Sequence, residues 1–188
     1  MFADLLLRAF PDLSVEQIAR LEEHYNLLQL WNRSLNLTSI RRLEEIVERH
    51  YCESLFVGQV LEPVPQSIAD VGSGAGFPGF PLAVLRPDCR VTLIESHQRK
   101  AVFLKEAARK VSNVRVLATR AEDVALGFDW VVSRAVSYVG LSSFLPRFAS
   151  KVALLTGEEL PAGLGYVWEP PIPLPWGKNR FLRVGRFT

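Results

Sequence analysis

Asp70-Val71-Gly72-Ser73-Gly74-Ala75-Gly76-Phe77-Pro78-Gly79 sets four glycines behind a short hydrophobic run, Ser67-Ile68-Ala69-Asp70-Val71, and ahead of a segment that reads as a helix. Glycine has no Cβ, so it turns tightly and lets a ligand approach bare backbone. The amides at the start of the following helix can then donate to that ligand. The spacing is G-x-G-x-G. A dinucleotide fingerprint would be G-x-G-x-x-G, and at the place of its third glycine this chain has Phe77. The loop has no Gly-Lys-Ser/Thr, which excludes a P-loop.

From residue 67 onward the pattern alternates. Strands are expected at 67–71, 91–95, 114–117, 129–133 and 151–155, with helices over about 80–86, 98–111 and 138–149. This predicts an α/β, Rossmann-like fold: a mostly parallel twisted sheet with helices on both faces. Such sheets bind ligands outside the carboxyl ends of their strands, which gathers scattered residues into one site. Gly72 follows the first strand, Glu95 ends the second, Arg120-Ala121-Glu122 follows the third, and Ser133-Arg134 ends the fourth.

Residues 1–60 read as helical. Ser14 and Gln17 make a capping-box pattern, and Ile18, Leu21, Tyr25 and Leu28 follow at helical spacing. A second helix is expected from Leu43 to about Val60, and the polar, aromatic stretch Leu30–Thr38 between them is expected to be a loop. Near the end, Tyr166-Val167-Trp168 and Phe181-Leu182-Arg183-Val184 are expected to pair as a hairpin around a Pro-rich excursion. The expected organisation is a helical extension, residues 1–62, packed on a ligand-binding unit, residues 63–188.

With 188 residues, 48% hydrophobic and 22% charged, the chain has the composition of a globular protein rather than a disordered one. No apolar run approaches the ~20 residues that span a bilayer, and the first residues lack the basic flank and apolar core of a signal peptide; a cytoplasmic protein is expected. Cys52 and Cys89 have neither metal-ligand nor redox spacing and are expected to be free thiols. His24, His50 and His97 form no metal-ligand pattern, so no metal is expected. The net charge of +2 does not announce a nucleic-acid binder. Yet basic residues cluster at Arg99, Lys100, Lys105, Arg109 and Lys110, and again at Lys178, Arg180, Arg183 and Arg186 with no acid among the last group. These are either solvated faces or parts of a phosphate-contacting surface.

Glu95 lies 25 residues beyond Asp70, where an acid accepts hydrogen bonds from both ribose hydroxyls of an adenosine moiety. Nicotinamide enzymes and methyltransferases both use such an acid, and a solvated strand-end carboxylate is the plain alternative. Ala121 and Glu122 can flank an adenine ring and accept from its amino group. Arg134 ends a buried strand, a costly place for a cation unless it is paired or set against a ligand. Asn32 and Asn36 point to specific hydrogen bonding, either capping a helix or closing a site, and capping is the simpler reading. His50 falls among apolar residues and reads equally as a packed histidine.

Taken together, the blocks resemble the bacterial small-subunit ribosomal RNA guanine-N7 methyltransferases, also called glucose-inhibited division protein B. Trp31-Asn32-Arg33-Ser34-Leu35-Asn36-Leu37-Thr38 is similar to that family's W-N-x-x-x-N-L-T. Arg49-His50-Tyr51-Cys52-Glu53-Ser54 is similar to R-H-x-x-D-S, with Glu53 in place of aspartate. The glycine loop is similar to D-V-G-[ST]-G-x-G-[FL]-P-G, and Ser133-Arg134-Ala135 also fits. The resemblance implies a class I methyltransferase fold, S-adenosylmethionine as cofactor, and methylation of guanine N7 in 16S rRNA, either naked or in a small-subunit assembly intermediate, by a monomer with no membrane attachment. It implies cofactor contacts at Gly72, Phe77, Ala121, Glu122 and Arg134, with Glu95 on the ribose; Gly74, Gly76 and Ser96 complete the candidate set. Asn36, His50, Glu53 and Arg134 are the candidates for lining or orienting the methyl-transfer site. No catalytic base is expected, because guanine N7 offers a lone pair and carries no proton. Two departures stand out: Thr156 replaces the lysine usual before the glycine that follows the fifth strand, and the segment after Gly157 matches poorly. They motivate the alternative of a non-catalytic descendant that binds RNA or protein. A nicotinamide-dependent oxidoreductase is the third reading, opposed by Phe77.

Overall fold

Alternation along the strands divides the buried side chains between the two faces of one sheet. In β1 (Ser67–Val71), Ile68 joins one hydrophobic cluster while Ala69 and Val71 join another. The same period of two sorts Val91 and Leu93 from Ile94 in β2 (Arg90–Ile94), Trp130 and Val132 from Val131 in β4 (Trp130–Arg134), and Ala153 and Leu155 from Val152 and Leu154 in β5 (Lys151–Thr156). With β3 (Val114–Leu117), β6 (Tyr166–Trp168), β7 (Ile172–Pro173) and β8 (Phe181–Phe187), the sheet has, among the described residues, eight strands in the order β3-β2-β1-β4-β5-β8-β6, with β7 also on β8. β1 to β5 are mutually parallel; β8 runs antiparallel to β5, and β6 and β7 antiparallel to β8. The order reverses between β1 and β4, and the glycine loop leaves β1 at that switch point. The computed structural model describes residues 1–62, 64–134, 140–141, 144–158 and 165–187.

One face carries α1 (Phe2–Ala9), α2 (Val15–Leu35), α3 (Leu43–Ile46), a π-helical segment (Val47–Cys52), α4 (Glu53–Val60), α5 (Gly79–Leu85) and α6 (Gln98–Ala107). Phe2, Leu6, Leu21 and Leu28 from the first two helices share a cluster with Ile68 and Leu93 of the sheet. The other face is covered by a 3₁₀ turn (Ala121–Asp123), Leu141 and α7 (Leu145–Phe148). Of the helix expected over 138–149, residues 138–139 and 142–143 lie outside the described residues, as does Ala135. The expected hairpin pairs β6 with the far end of β8, Tyr166 opposite Phe187. Cys52 and Cys89 are buried and unpaired. Among the described residues no helix is long and apolar enough to cross a membrane.

The expected loop at Leu30–Thr38 is instead the end of a helix, since α2 continues to Leu35. The capping box at Ser14 and Gln17 starts it, and Asn36 ends it in the left-handed region at φ 47°, which asparagine tolerates better than most residues. Asn32 looks polar in the pattern but is buried: its side-chain amide donates to the Thr38 carbonyl at 2.9 Å and its oxygen accepts the Thr38 N–H at 2.9 Å. It therefore clamps the turn that follows its own helix. The helix from Leu43 to Val60 forms as expected, but its middle is π-helical and carries His50 and Tyr51.

α5 begins hard against the sheet. A Cβ on Gly79 would lie 2.6 Å from Asp70 Cβ and would also collide with Leu93 Cδ2. Gly79→Ala lowers stability by about 1–3 kcal/mol, the usual range for overpacking, seen in urea as a lower midpoint at unchanged slope.

Candidate active site

The loop after β1 is a tight coil pinned at both ends. The N–H groups of Gly72 and Ser73 donate to the Ile94 carbonyl, at 2.9 and 3.1 Å, and the Gly79 N–H donates to Asp70 Oδ2 at 2.9 Å. Between these pins Gly72, Gly74 and Gly76 take φ of 70°, 57° and 90°, conformations that side chains rarely accept. The middle is tied to β2: Glu95 Oε2 accepts the Gly74 N–H at 2.8 Å and Oε1 accepts the His97 N–H at 2.7 Å. Each oxygen keeps a second acceptor position, so this carboxylate can still receive hydroxyl donors.

Two clefts open at the carboxyl ends of the strands. The first, about 350 Å³, is lined by Gly72, Ser96, Ala121 and Glu122 with Ile94 and Phe144. The second, about 560 Å³, is lined by Asn36, Thr38, Arg49, His50, Arg134, Thr156 and Arg180. A further cavity of about 620 Å³ between α2 and the end of α6 lies away from the loop, and Lys110 and Arg109 on its border are already paired with Glu23 and Glu106.

Most of the expected residues therefore gather, though not all in the expected way. Gly72, Ser96, Ala121 and Glu122 line one cleft; Asn36, His50 and Arg134 line the other. Gly76 faces inward, where an added Cβ would crowd His24, Phe80 and Leu104 at 3.2–3.3 Å, so it serves packing. The Phe77 ring is buried beneath two residues of the second cleft. It stacks on His50 at 4.7 Å between centroids and lies 5.2 Å below the Arg134 guanidinium. Glu53 does not line the site: it is 0% exposed and takes Arg180 Nε and Nη2 at 2.6 and 2.5 Å, with Arg49 Nε 3.4 Å away. It orients arginines. Arg134 Nη1 donates to the Arg49 carbonyl at 2.7 Å.

Three contributors were invisible as pairings in the sequence. His24 pairs through Nε2 with the Ala75 carbonyl in the loop at 3.0 Å and through Nδ1 with the Tyr51 hydroxyl at 2.8 Å. Arg180 comes from the poorly matching tail. Arg183, buried, donates to the Thr156 hydroxyl at 3.1 Å and brings a cation behind the position where one was missing. The acid-free run Lys178–Arg186 was the signal for the last two.

A profile of the family described as rRNA small subunit methyltransferase G matches residues 17–148. A relative of that name from Desulforamulus reducens is 38% identical over 135 residues, 67% of this chain and 56% of its own length. One of the same name from Aromatoleum aromaticum is 40% identical over 186 residues, 88% of each chain. The chain belongs to the rRNA small subunit methyltransferase G family. It spans little more than half the length of the Desulforamulus relative. The fold is the Rossmann-like one of class I methyltransferases: the crystal structure of a SAM dependent methyltransferase from Aquifex aeolicus aligns with a TM-score of 0.60, 17% identity, and coverage of 77% of this chain and 93% of that one.

In this member of the rRNA small subunit methyltransferase G family, burial governs the ionisable groups around the clefts. It lifts Asp70 to about 7; among the described residues its Oδ1 has no hydrogen-bond partner. It lowers His24 to about 3 and, with Arg134 nearby, His50 to about 2, so both imidazoles are neutral. It lowers Arg134 only to about 10, which leaves it charged.

These shifts set opposing pH dependences. Asp70 holds a proton when folded that its unfolded form releases near 3.8, so its contribution to stability is full below about pH 4 and is lost as pH rises to about 7. The two histidines are neutral folded and protonate near 6.5 unfolded, so their contribution is full above that value and falls as pH drops toward 3. Asp70→Asn removes the first effect alone. Urea unfolding at a series of pH values will show the variant gaining on the wild type between pH 4 and 7, by on the order of 2–4 kcal/mol.

Proposed function

We propose that the chain is an S-adenosylmethionine-dependent methyltransferase acting on N7 of a guanine in 16S rRNA. On this reading it works as a cytoplasmic monomer on that RNA or on an assembling small subunit, with residues 1–62 a helical extension of the methyltransferase unit 63–188. The observation that carries the reading is the switch-point cleft. Glycines at positive φ and a fastened acid stand beside Ala121 and Glu122, in a chain of this family.

The residues present fit the cofactor. Gly72 and Gly74 offer backbone that no Cβ obstructs, Glu95 keeps acceptor positions for the ribose, and Ala121 and Glu122 flank the space for adenine. Asp70, buried, holds the loop through the Gly79 N–H rather than lining the cleft, and Arg134 remains a cation at the second cleft. When bound, S-adenosylmethionine supplies an electrophilic methyl group on a sulfonium. The protein's own part is to align and to exclude water, since N7 carries no proton to remove. Phe77 beneath both His50 and Arg134 fixes them relative to the glycine loop, and alignment of this kind supplies much of the rate in such transfers. His50, neutral and paired with the Thr38 hydroxyl at 2.8 Å, adds no charge there.

Thr156, where the family resemblance calls for lysine, favours a second reading: a descendant that keeps the fold and binds RNA without transferring a methyl group. Mapping guanine methylation in 16S rRNA from a deletion strain separates the two. Loss of one N7-methylguanosine, restored by this chain, supports the enzyme; an unchanged map supports the descendant.

Calorimetry on Gly74→Asp tests the cofactor reading. The substitution puts a charged side chain where φ is 57° and abolishes S-adenosylhomocysteine binding, whereas the wild type binds; a wild type that binds neither S-adenosylhomocysteine nor S-adenosylmethionine ends the proposal. Replacing Arg99, Lys100 and Lys105 together weakens RNA binding and flattens its salt dependence by ~0.7 in slope per lost phosphate contact; an unchanged slope returns them to a solvated helix face.

A further inference from the structure

The second cleft holds positive charge that its walls do not neutralise. Arg49, Arg134 and Arg180 line it, and no acid is among its lining residues as described. The nearest counter-charge, Glu53, is 0% exposed beneath them with both oxygens engaged. Arg180 spends Nε and one Nη2 hydrogen on Glu53. Of the five N–H bonds of a guanidinium, the rest of its fork has no partner among the described residues, and 19% of the side chain remains exposed at the cleft it lines. Arg49 is 32% exposed; its Nε is buried facing Glu53 at 3.4 Å and, among the described residues, makes no hydrogen bond. The two guanidiniums are thus held from behind by one carboxylate, with donors left over in front. A planar fork so fixed suits an anion with several oxygens. Arg134 stands deeper, over Phe77 and on the Arg49 carbonyl, and so nearer the cofactor side. Asn36, Thr38 and Ser39 add polar groups to the rim.

We propose that Arg49 and Arg180, positioned by Glu53, form a subsite for an RNA phosphate adjoining the target nucleotide. This rests on the methyltransferase reading, because a base brought to the cofactor cleft as part of an RNA strand carries its phosphates to this rim. Arg180 is thereby a substrate-binding residue supplied by the C-terminal strands, and Glu53 a positioning residue that touches no substrate.

The test is binding of guanosine, guanosine 3′-monophosphate and guanosine 5′-monophosphate, titrated by NMR with S-adenosylhomocysteine saturating so that the nucleotides cannot occupy the cofactor site. On the wild type at least one monophosphate binds about ten-fold tighter than guanosine. Arg180→Gln removes that preference, leaves guanosine binding unchanged, and keeps S-adenosylhomocysteine affinity within about two-fold. Where Arg180→Gln loses S-adenosylhomocysteine, and with it the fold, Arg180→Lys preserves a counter-charge for Glu53 and must itself reduce the preference. Equal affinity for all three ligands on the wild type overturns the subsite, as does an equal loss of all three in the variant. Inorganic phosphate that competes as well as the monophosphates overturns the nucleic-acid source. A wild type with the Arg180-dependent preference that transfers no methyl group to 16S rRNA overturns the methyltransferase reading while leaving the anion subsite in place.

Discussion

A single hydrogen bond from the Gly79 N–H to the buried carboxylate of Asp70 sets the shape on which both clefts depend. It joins the end of β1 to the start of α5, so the intervening residues must coil back within the width of that contact. Only a chain that reaches positive φ repeatedly can do so, and Gly72, Gly74 and Gly76 are the residues that do. Glu95 then fastens the middle of the coil to β2, and His24 braces it from beneath through the Ala75 carbonyl. The helical N-terminal segment is thus part of the loop's support: His24 stacks on Phe80 at 4.3 Å and lies edge-on to Phe77.

The cost of this arrangement is a buried acid. Asp70 is 0% exposed and its pKa rises to about 7 because the charged form is desolvated. The Gly79 amide and the Ser73 hydroxyl pull the other way without cancelling the burial. The fold tolerates the group because the loop geometry needs it at Gly79.

What the sequence revealed follows from how far each interaction reaches along the chain. β1 occupies its expected span because a strand buried on both faces reads as a short apolar run between turn residues, and β3, an edge strand with Arg115 exposed, because Val114-Arg115-Val116 alternates with a period of two. The glycine spacing is likewise local, and so is the capping box at Ser14. Interactions that join distant residues left weaker traces. Glu53 matched a motif, which marked it as a site residue, but nothing local showed that its partner would be Arg180, 127 residues away. Gly76 belonged to the right motif and turned inward, because only the packing of His24, Phe80 and Leu104 decides which side of a loop is crowded. Leu30–Thr38 misled because Asn32 breaks the polar pattern: its amide faces the protein to hold Thr38, so a buried polar residue looked like an exposed one.

The ionisable groups give the two clefts different characters. The first carries both Arg120 and Glu122 on its wall, with Glu95 fastened to the loop at Gly74, whereas the charged residues lining the second are Arg49, Arg134 and Arg180. The histidine that could add a titrating cation there, His50, is held neutral by burial and by Arg134. A proton on it would bring a second positive charge against the one already buried over Phe77. The positive charge of the second cleft is therefore carried by arginines, which stay protonated throughout the working pH range. On the proposed reading Glu95 would hold the cofactor's ribose at the loop, and the arginines of the second cleft would receive the polyanionic RNA. Phe77 ties the loop to that second cleft through His50 and Arg134. Transfer to N7 moves positive charge from sulfur to the purine without changing the total, so the enclosure need not take up or release a proton. That accounts for a site with fixed charges, neutral histidines and no base.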